Sequence, residues 1–139
     1  MTAPAMVVID ASVAVAVVAA EPRQQPARRL IADPAVRRMT PDLMALEAAN
    51  AFWKRVRRGI WTRDQHDQAM NAVLKGRIEF APTGPLIRRA AQLSLDHDHP
   101  VYDCVYVALA QRELAPIATL DARMAKLATA ALVGLCNGR

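Results

Sequence analysis

Two kinds of hydrophobic pattern alternate along the chain. Short continuous apolar runs are separated by longer stretches in which apolar residues recur every three or four positions. The first kind reads as strands buried on both faces, the second as helices packed on one side. Met6-Val7-Val8-Ile9 is the clearest run and predicts a strand ending at Asp10. Ser12 is then placed to cap a helix reaching about residue 20. A second helix is expected over 24–32, with Pro22 and Pro26 near its start. Residues 36–40 give a weaker strand, because Arg37 and Arg38 interrupt it. Pro41 opens a strong helix in which Leu43, Leu46, Asn50 and Trp53 recur on one stripe. Gly59 ends it after a basic last turn, which suits the helix dipole. Thr62 with Gln65 fits a capping box for a helix reaching about Leu74. A strand over 77–81, a helix over 85–95 and a loop over 96–100 follow. The helix over 102–113 carries Val105, Ala108 and Leu109 on its inner side. A strand over 117–119 ends before Asp121, a helix continues to 128, and 132–135 reads as an edge strand.

Strands alternating with helices predict an α/β domain with a mostly parallel sheet. The 139 residues suit a single domain over 1–139. A hydrophobic fraction of 53% supports a real core and excludes a disordered chain. Two cysteines, Cys104 and Cys136, are too few for a disulfide scaffold or a four-cysteine zinc site, so a reducing cytoplasm is the expected compartment. The apolar stretch over 3–20 is broken by Asp10, and no Lys or Arg precedes Arg23, as a secretory signal requires. No other segment approaches the roughly 20 apolar residues of a spanning helix, so no membrane role is expected.

Four of the 13 acids sit in apolar surroundings. Asp10 ends the most apolar strand, Glu47 lies among Leu46, Ala48 and Ala49, Asp103 interrupts Val101-Tyr102-Cys104-Val105, and Asp121 ends the last clear strand. In an open parallel sheet ligands bind at the carboxyl ends of strands. Asp10 and Asp121 fall at such ends, and Glu47 and Asp103 fall near helix starts that face the same edge. Two carboxylates about 5 Å apart repel by about 3 kcal/mol at an effective dielectric near 20. A converging set must therefore take up protons or bind a cation. An all-oxygen donor set selects Mg²⁺ or Mn²⁺ over zinc. Net charge sharpens this picture: the chain carries +5, and more once those four acids are set aside. A basic body around an acidic metal pocket suits a phosphodiester backbone. Taken singly, each acid is more readily a helix cap or the partner of one of 18 cations; the conjunction carries the functional reading.

Val8-Ile9-Asp10-Ala11-Ser12, Glu47 in a helix after a proline, Tyr102-Asp103-Cys104-Val105-Tyr106-Val107-Ala108-Leu109-Ala110 and Thr119-Leu120-Asp121 together resemble a PIN domain, and more narrowly the VapC-type toxins of toxin–antitoxin pairs. No single motif is specific; the ordered set spans about 7 to 127. The resemblance implies a three-layer α/β/α sandwich with a central parallel sheet. It implies a Mg²⁺- or Mn²⁺-dependent endoribonuclease, an antitoxin partner that blocks the site, and a homodimer. By position, Asp10, Glu47, Asp103 and Asp121 match the family's catalytic and metal-binding quartet. Ser12 and Thr119 match its hydroxyl positions beside the metal, and Asn50 a common polar position one turn after Glu47. The chain departs from the pattern in being short after Asp121 and in carrying Arg37-Arg38 where the second strand is usually more apolar.

Two further features have competing readings. Asp96-His97-Asp98-His99 looks like a metal tract but reads better as a solvated turn before Pro100, with His99 near Asp103 at the mouth of the site. Lys54, Arg55, Arg57, Arg58 and Arg63 surround Trp61 with no acid among them. Lys54, Arg57, Arg58 and Trp61 are candidate RNA contacts, with the indole as a stacking face. Equally, they are a dipole-compensated helix end with an anchoring tryptophan. Trp53 and Leu46, with the alanine-rich first helix, could form an apolar groove for a partner helix, but are expected in the core.

Other α/β classes fit less well. A receiver domain requires adjacent acids at the first strand, and Asp10 has none. An aspartate-nucleophile phosphatase requires a second acid where Ser12 stands. A PIN-like module that binds RNA or a partner without cutting is the remaining alternative.

Overall fold

The computed structural model describes residues 5–19, 28 and 33–136. The expected helix over 24–32 lies outside the described residues apart from Arg28. Among the described residues there are four strands: β1 (Met6–Ile9), β2 (Arg37–Pro41), β3 (Glu79–Ala81) and β4 (Ile117–Ala118). The helices are α1 (Ala11–Val18), α2 (Leu43–Arg57), α3 (Arg63–Leu74), α4 (Ile87–His97), α5 (Val101–Glu113) and α6 (Ala122–Ala130). A 3₁₀ turn, Gly84–Leu86, leads into α4.

All strand pairs are parallel, in the order β3-β2-β1-β4. The chain leaves β1 toward β2 on one side and returns as β4 on the other. The carboxyl ends of β1 and β4 therefore flank a topological switch point, where such sheets open a crevice. The expected α/β class with a parallel sheet holds. The edge strand over 132–135 reduces to a single bridge between Leu135 and Ile117.

Val7, Val8 and Ile9 are wholly buried, as expected of a central parallel strand. Helix α5 lies on β1, β2 and β4 and packs between α4 and α6. All seven residues from Cys104 to Ala110 are buried, so its inner side is wider than the expected stripe of Val105, Ala108 and Leu109. A helix apolar all round is one covered on all sides.

Arg37 and Arg38 do not break β2. Arg37 is exposed and bonds Glu79 on β3 at 2.9 Å. Arg38 is buried, but its guanidinium donates to the carbonyls of Arg77 and Asp33 at the amino end of the sheet. A polar head that finds acceptors lets the stem occupy a strand position.

Helix α2 corrects the expected core face. Met44, Ala48 and Phe52 are buried at four-residue spacing, whereas Leu46 is 72% and Trp53 49% exposed. The small Ala48 concealed the true stripe, and the larger Leu46 and Trp53 suggested a false one. Gly59, at φ 73°, ends the region as expected, and Thr62 and Gln65 form the capping box of α3. No described helix is long and apolar enough to cross a membrane.

Candidate active site

Asp10 is the residue directly after β1, and Thr119 the residue directly after β4. Adjacent parallel strands thus bring positions 109 apart into contact. Asp10 is 5% exposed. Its Oδ2 accepts the hydroxyls of Ser12 and of Thr119, both at 2.7 Å. Ser12 Oγ also accepts the amide of Leu120 at 2.9 Å, and Thr119 Oγ1 accepts that of Asp121 at 3.0 Å. Both hydroxyls are thereby aimed at the carboxylate. Ser12 does not cap α1; Asp10 occupies the cap position, without a side-chain cap bond. Ser12 lies inside α1, and its oxygen accepts the Leu120 amide while its hydrogen goes to Asp10.

Glu47, in the second turn of α2, points toward α5. Tyr106 donates its hydroxyl to Glu47 Oε1 at 2.6 Å. One turn earlier on α5, Asp103 Oδ2 accepts from His99 Nε2 at 2.7 Å. Ser94 holds the His99 backbone through its hydroxyl, which donates to the His99 carbonyl at 2.6 Å.

The electrostatics tie three acids together. Burial pushes the Asp10 carboxyl above its ordinary value, and the charge of Asp103 adds to the shift. Burial likewise raises Glu47, with Asp10 and Asp103 both adding repulsion. What opposes these shifts is hydroxyl and amide hydrogen bonds, not the attraction of a Lys or Arg. Tyr106 is raised as well, by its own burial and by Glu47, so its hydroxyl stays a donor. A buried negative group without a cation is the condition under which binding one is favourable. The donors are all oxygen, which fits Mg²⁺ or Mn²⁺. Among the described residues, no three His, Cys, Asp or Glu side chains gather tightly enough to ligate one ion directly. Such ions retain several waters and are commonly held by one or two carboxylates, so the donor set still fits.

Asp121 stands apart from these three. It is exposed, and its Oδ1 accepts the Arg123 amide at 2.9 Å as the cap of α6. Its link to the cluster runs through its backbone amide to Thr119. Asn50 is exposed on α2 and lines an open cavity of about 380 Å³ together with Glu47, Ala51, Lys54, Arg55, Arg58 and Ile60. Trp61 is half-buried, stacked at a tilt on Phe52 with ring centroids 5.2 Å apart, and carries the Arg55 guanidinium over its ring. Arg57 lies over the exposed Trp53.

Sequence reasoning missed one partner, Tyr106, and placed His99 near Asp103 without giving it a bond. In the sequence Tyr106 stands only inside the segment that carries the family resemblance, with no role of its own, although its three-residue spacing from Asp103 places both on one side of α5. The tract over 96–99 is not wholly a turn: Asp96 and His97 finish α4, Asp98 turns left-handed at φ 48°, and His99 reaches back to Asp103. Cys104 and Cys136 are free thiols.

Comparison with known proteins fits this geometry. The family model described as PIN domain matches residues 7–130. The chain belongs to the PIN domain family. Ribonuclease VapC3 of Pyrobaculum aerophilum is 32% identical over 121 residues, covering 86% of this chain and 92% of that protein. Among solved structures, PAE2754 of Pyrobaculum aerophilum superposes with a TM-score of 0.69 at 20% identity, covering 88% of this chain and 78% of that one. VapC20 of Mycobacterium tuberculosis, described as a sarcin-ricin loop cleaving toxin, gives a TM-score of 0.69 at 18% identity, over 86% and 93%. At those identities the two structures speak for the PIN fold, with its parallel sheet between helices.

Proposed function

We propose that this PIN domain is a Mg²⁺- or Mn²⁺-dependent endoribonuclease and the toxin of a toxin–antitoxin pair. The observation that carries the reading is Asp10: a carboxylate almost wholly buried at the switch point, raised by burial and by Asp103, and aimed by two hydroxyls. A purely structural domain gains nothing from such a group. The 32% identity to a protein named Ribonuclease VapC3 supports RNA as the substrate.

In this reading Asp10 and Asp103 would hold the ion, and Glu47 and Asp121 would bind it through water or hold a second ion. Bound there, a divalent ion supplies an activated water and neutralises charge on the phosphate. Ser12 and Thr119 fix the Oδ2 edge of Asp10, Tyr106 fixes Glu47, and His99 fixes Asp103, so that the carboxylates meet the substrate already oriented. Asn50 stands at the rim, where the strand passes onto α2. Hydrolysis leaves 5′-phosphate and 3′-hydroxyl ends. An antitoxin covers the acids when the toxin is silent, and the active species is a homodimer in the cytoplasm. Free cysteines are consistent with that compartment.

A second reading is a PIN-like module that binds RNA or a partner without cutting. It is favoured by the lack, among the described residues, of three ligands gathered on one point. Incubating the purified chain with RNA in Mn²⁺ or Mg²⁺ separates the two. Cleavage that EDTA stops and that Asp10→Asn abolishes is expected; binding without cleavage in either metal favours the module.

A further inference from the structure

The basic residues at the end of α2 fall into two sets. Glu47, Asn50, Ala51, Lys54, Arg55 and Arg58 follow three- and four-residue spacing, so they form one stripe about 16 Å long. That stripe lines the cavity of about 380 Å³ already described, with Ile60 closing its far end. Its size lies within the range of pockets that hold small ligands, about 300–1,000 Å³. Arg57 lies outside this lining, over Trp53.

The cavity is built rather than incidental. Gly59, at φ 73°, turns the chain back, and the amides of Ile60 and Trp61 both donate to the Arg55 carbonyl, at 2.9 and 3.2 Å. The reversal sets Trp61 against Phe52 of the core, and the Arg55 guanidinium lies over the indole at 5.2 Å. A guanidinium held on an aromatic face is pre-oriented for an anion. The helix dipole explains a basic last turn. It does not explain why Lys54, Arg55 and Arg58 share one concavity with Glu47, an acid of the catalytic cluster.

We propose that this cavity holds the phosphates of the RNA strand next to the bond being cut, with Lys54, Arg55 and Arg58 as the phosphate contacts and Asn50 beside them. The proposal rests on the ribonuclease reading. It excludes Arg57 and Trp61 from the contact, against the expectation from sequence. The lining offers three cations, an amide and a single exposed apolar residue, Ile60. An acidic peptide helix would need apolar anchors that are missing here.

The test is fluorescence anisotropy of a labelled single-stranded RNA of mixed sequence, in EDTA so that nothing is cut, across a range of salt. Lys54→Ala and Arg58→Ala should each weaken binding about 3- to 10-fold. Each should also lower the slope of log affinity against log salt by about 0.7, the share of one phosphate contact. Arg88→Ala, an exposed charge on α4, controls for net charge and should leave the slope unchanged. Slopes unchanged in both cavity variants, or an equal loss in Arg57→Ala, would overturn the proposal. So would polyglutamate of matched charge binding more tightly than RNA. The two readings fail separately: wild-type protein that cuts RNA while the slopes stay fixed sinks only the cavity, and slope changes without any cleavage in Mn²⁺ sink only the nuclease.

Discussion

Tyr106 of α5 donates its hydroxyl to Oε1 of Glu47 on α2 at 2.6 Å, joining two helices that no sequence pattern linked. The bond lowers the pKa of Glu47 against burial, which raises it. Tyr106→Phe removes the donor and leaves the carboxylate half-buried without it. The expected result is a loss of about 1 kcal/mol in stability and roughly 10-fold in cleavage. The acid limb of the pH–rate profile should also move to higher pH, because Glu47 then holds its proton more tightly. Denaturant melts and a pH–rate series check all three.

Asp10 gives a pH dependence of stability. Its folded pKa is raised, chiefly by burial, so the native state holds this proton more tightly than the unfolded chain does. Stability without metal should therefore fall as pH rises from the ordinary carboxylate range through the raised value. Asp10→Asn removes the buried charge. Its metal-free melting temperature at neutral pH should rise by about 2–4 °C for a gain of about 1 kcal/mol, with cleavage lost. Scanning calorimetry in EDTA measures the gain.

Asp121 has two separable roles. Its side chain caps α6 through the Arg123 amide. Asp121→Ala should cost about 1 kcal/mol from the lost cap, and Asp121→Asn much less. A contribution of its charge to metal or substrate would reduce cleavage by both variants, by about 10- to 100-fold. Full activity in Asp121→Asn would confine the residue to capping.

Arg38 tests the sheet rather than the site. Its guanidinium satisfies the carbonyls of Arg77 and Asp33. Arg38→Met keeps an apolar stem but strips those acceptors, and should destabilise by about 2 kcal/mol. Thermal melts check this, and cleavage by the remaining folded fraction should be unchanged.

The order of strands and helices was legible because β1 and β4 are short apolar runs closed by Asp10 and Thr119, and because Gly59, Thr62 and Gln65 punctuate the chain in standard ways. The helix face of α2 was not, since alanine at position 48 carries little hydrophobic signal and Leu46 and Trp53 carry much. The unusual acids stood out by their apolar neighbours. Their supports did not: the bonds of Tyr106 to Glu47 and of Thr119 to Asp10 join distant elements, and only packing sets them. The His99–Asp103 pair is local, four residues apart, but a run of alternating Asp and His resembles a solvated turn until the helix boundary at His97 is fixed.

The central claim is that Asp10, Glu47 and Asp103 form a divalent-cation site at the switch point. Anomalous diffraction from crystals soaked in Mn²⁺ tests it most directly. The account expects a manganese peak against Asp10 and Asp103, absent in Asp10→Asn crystals. A wild-type crystal saturated with Mn²⁺ that shows no peak there, or only peaks at surface acids and histidines elsewhere, would contradict it.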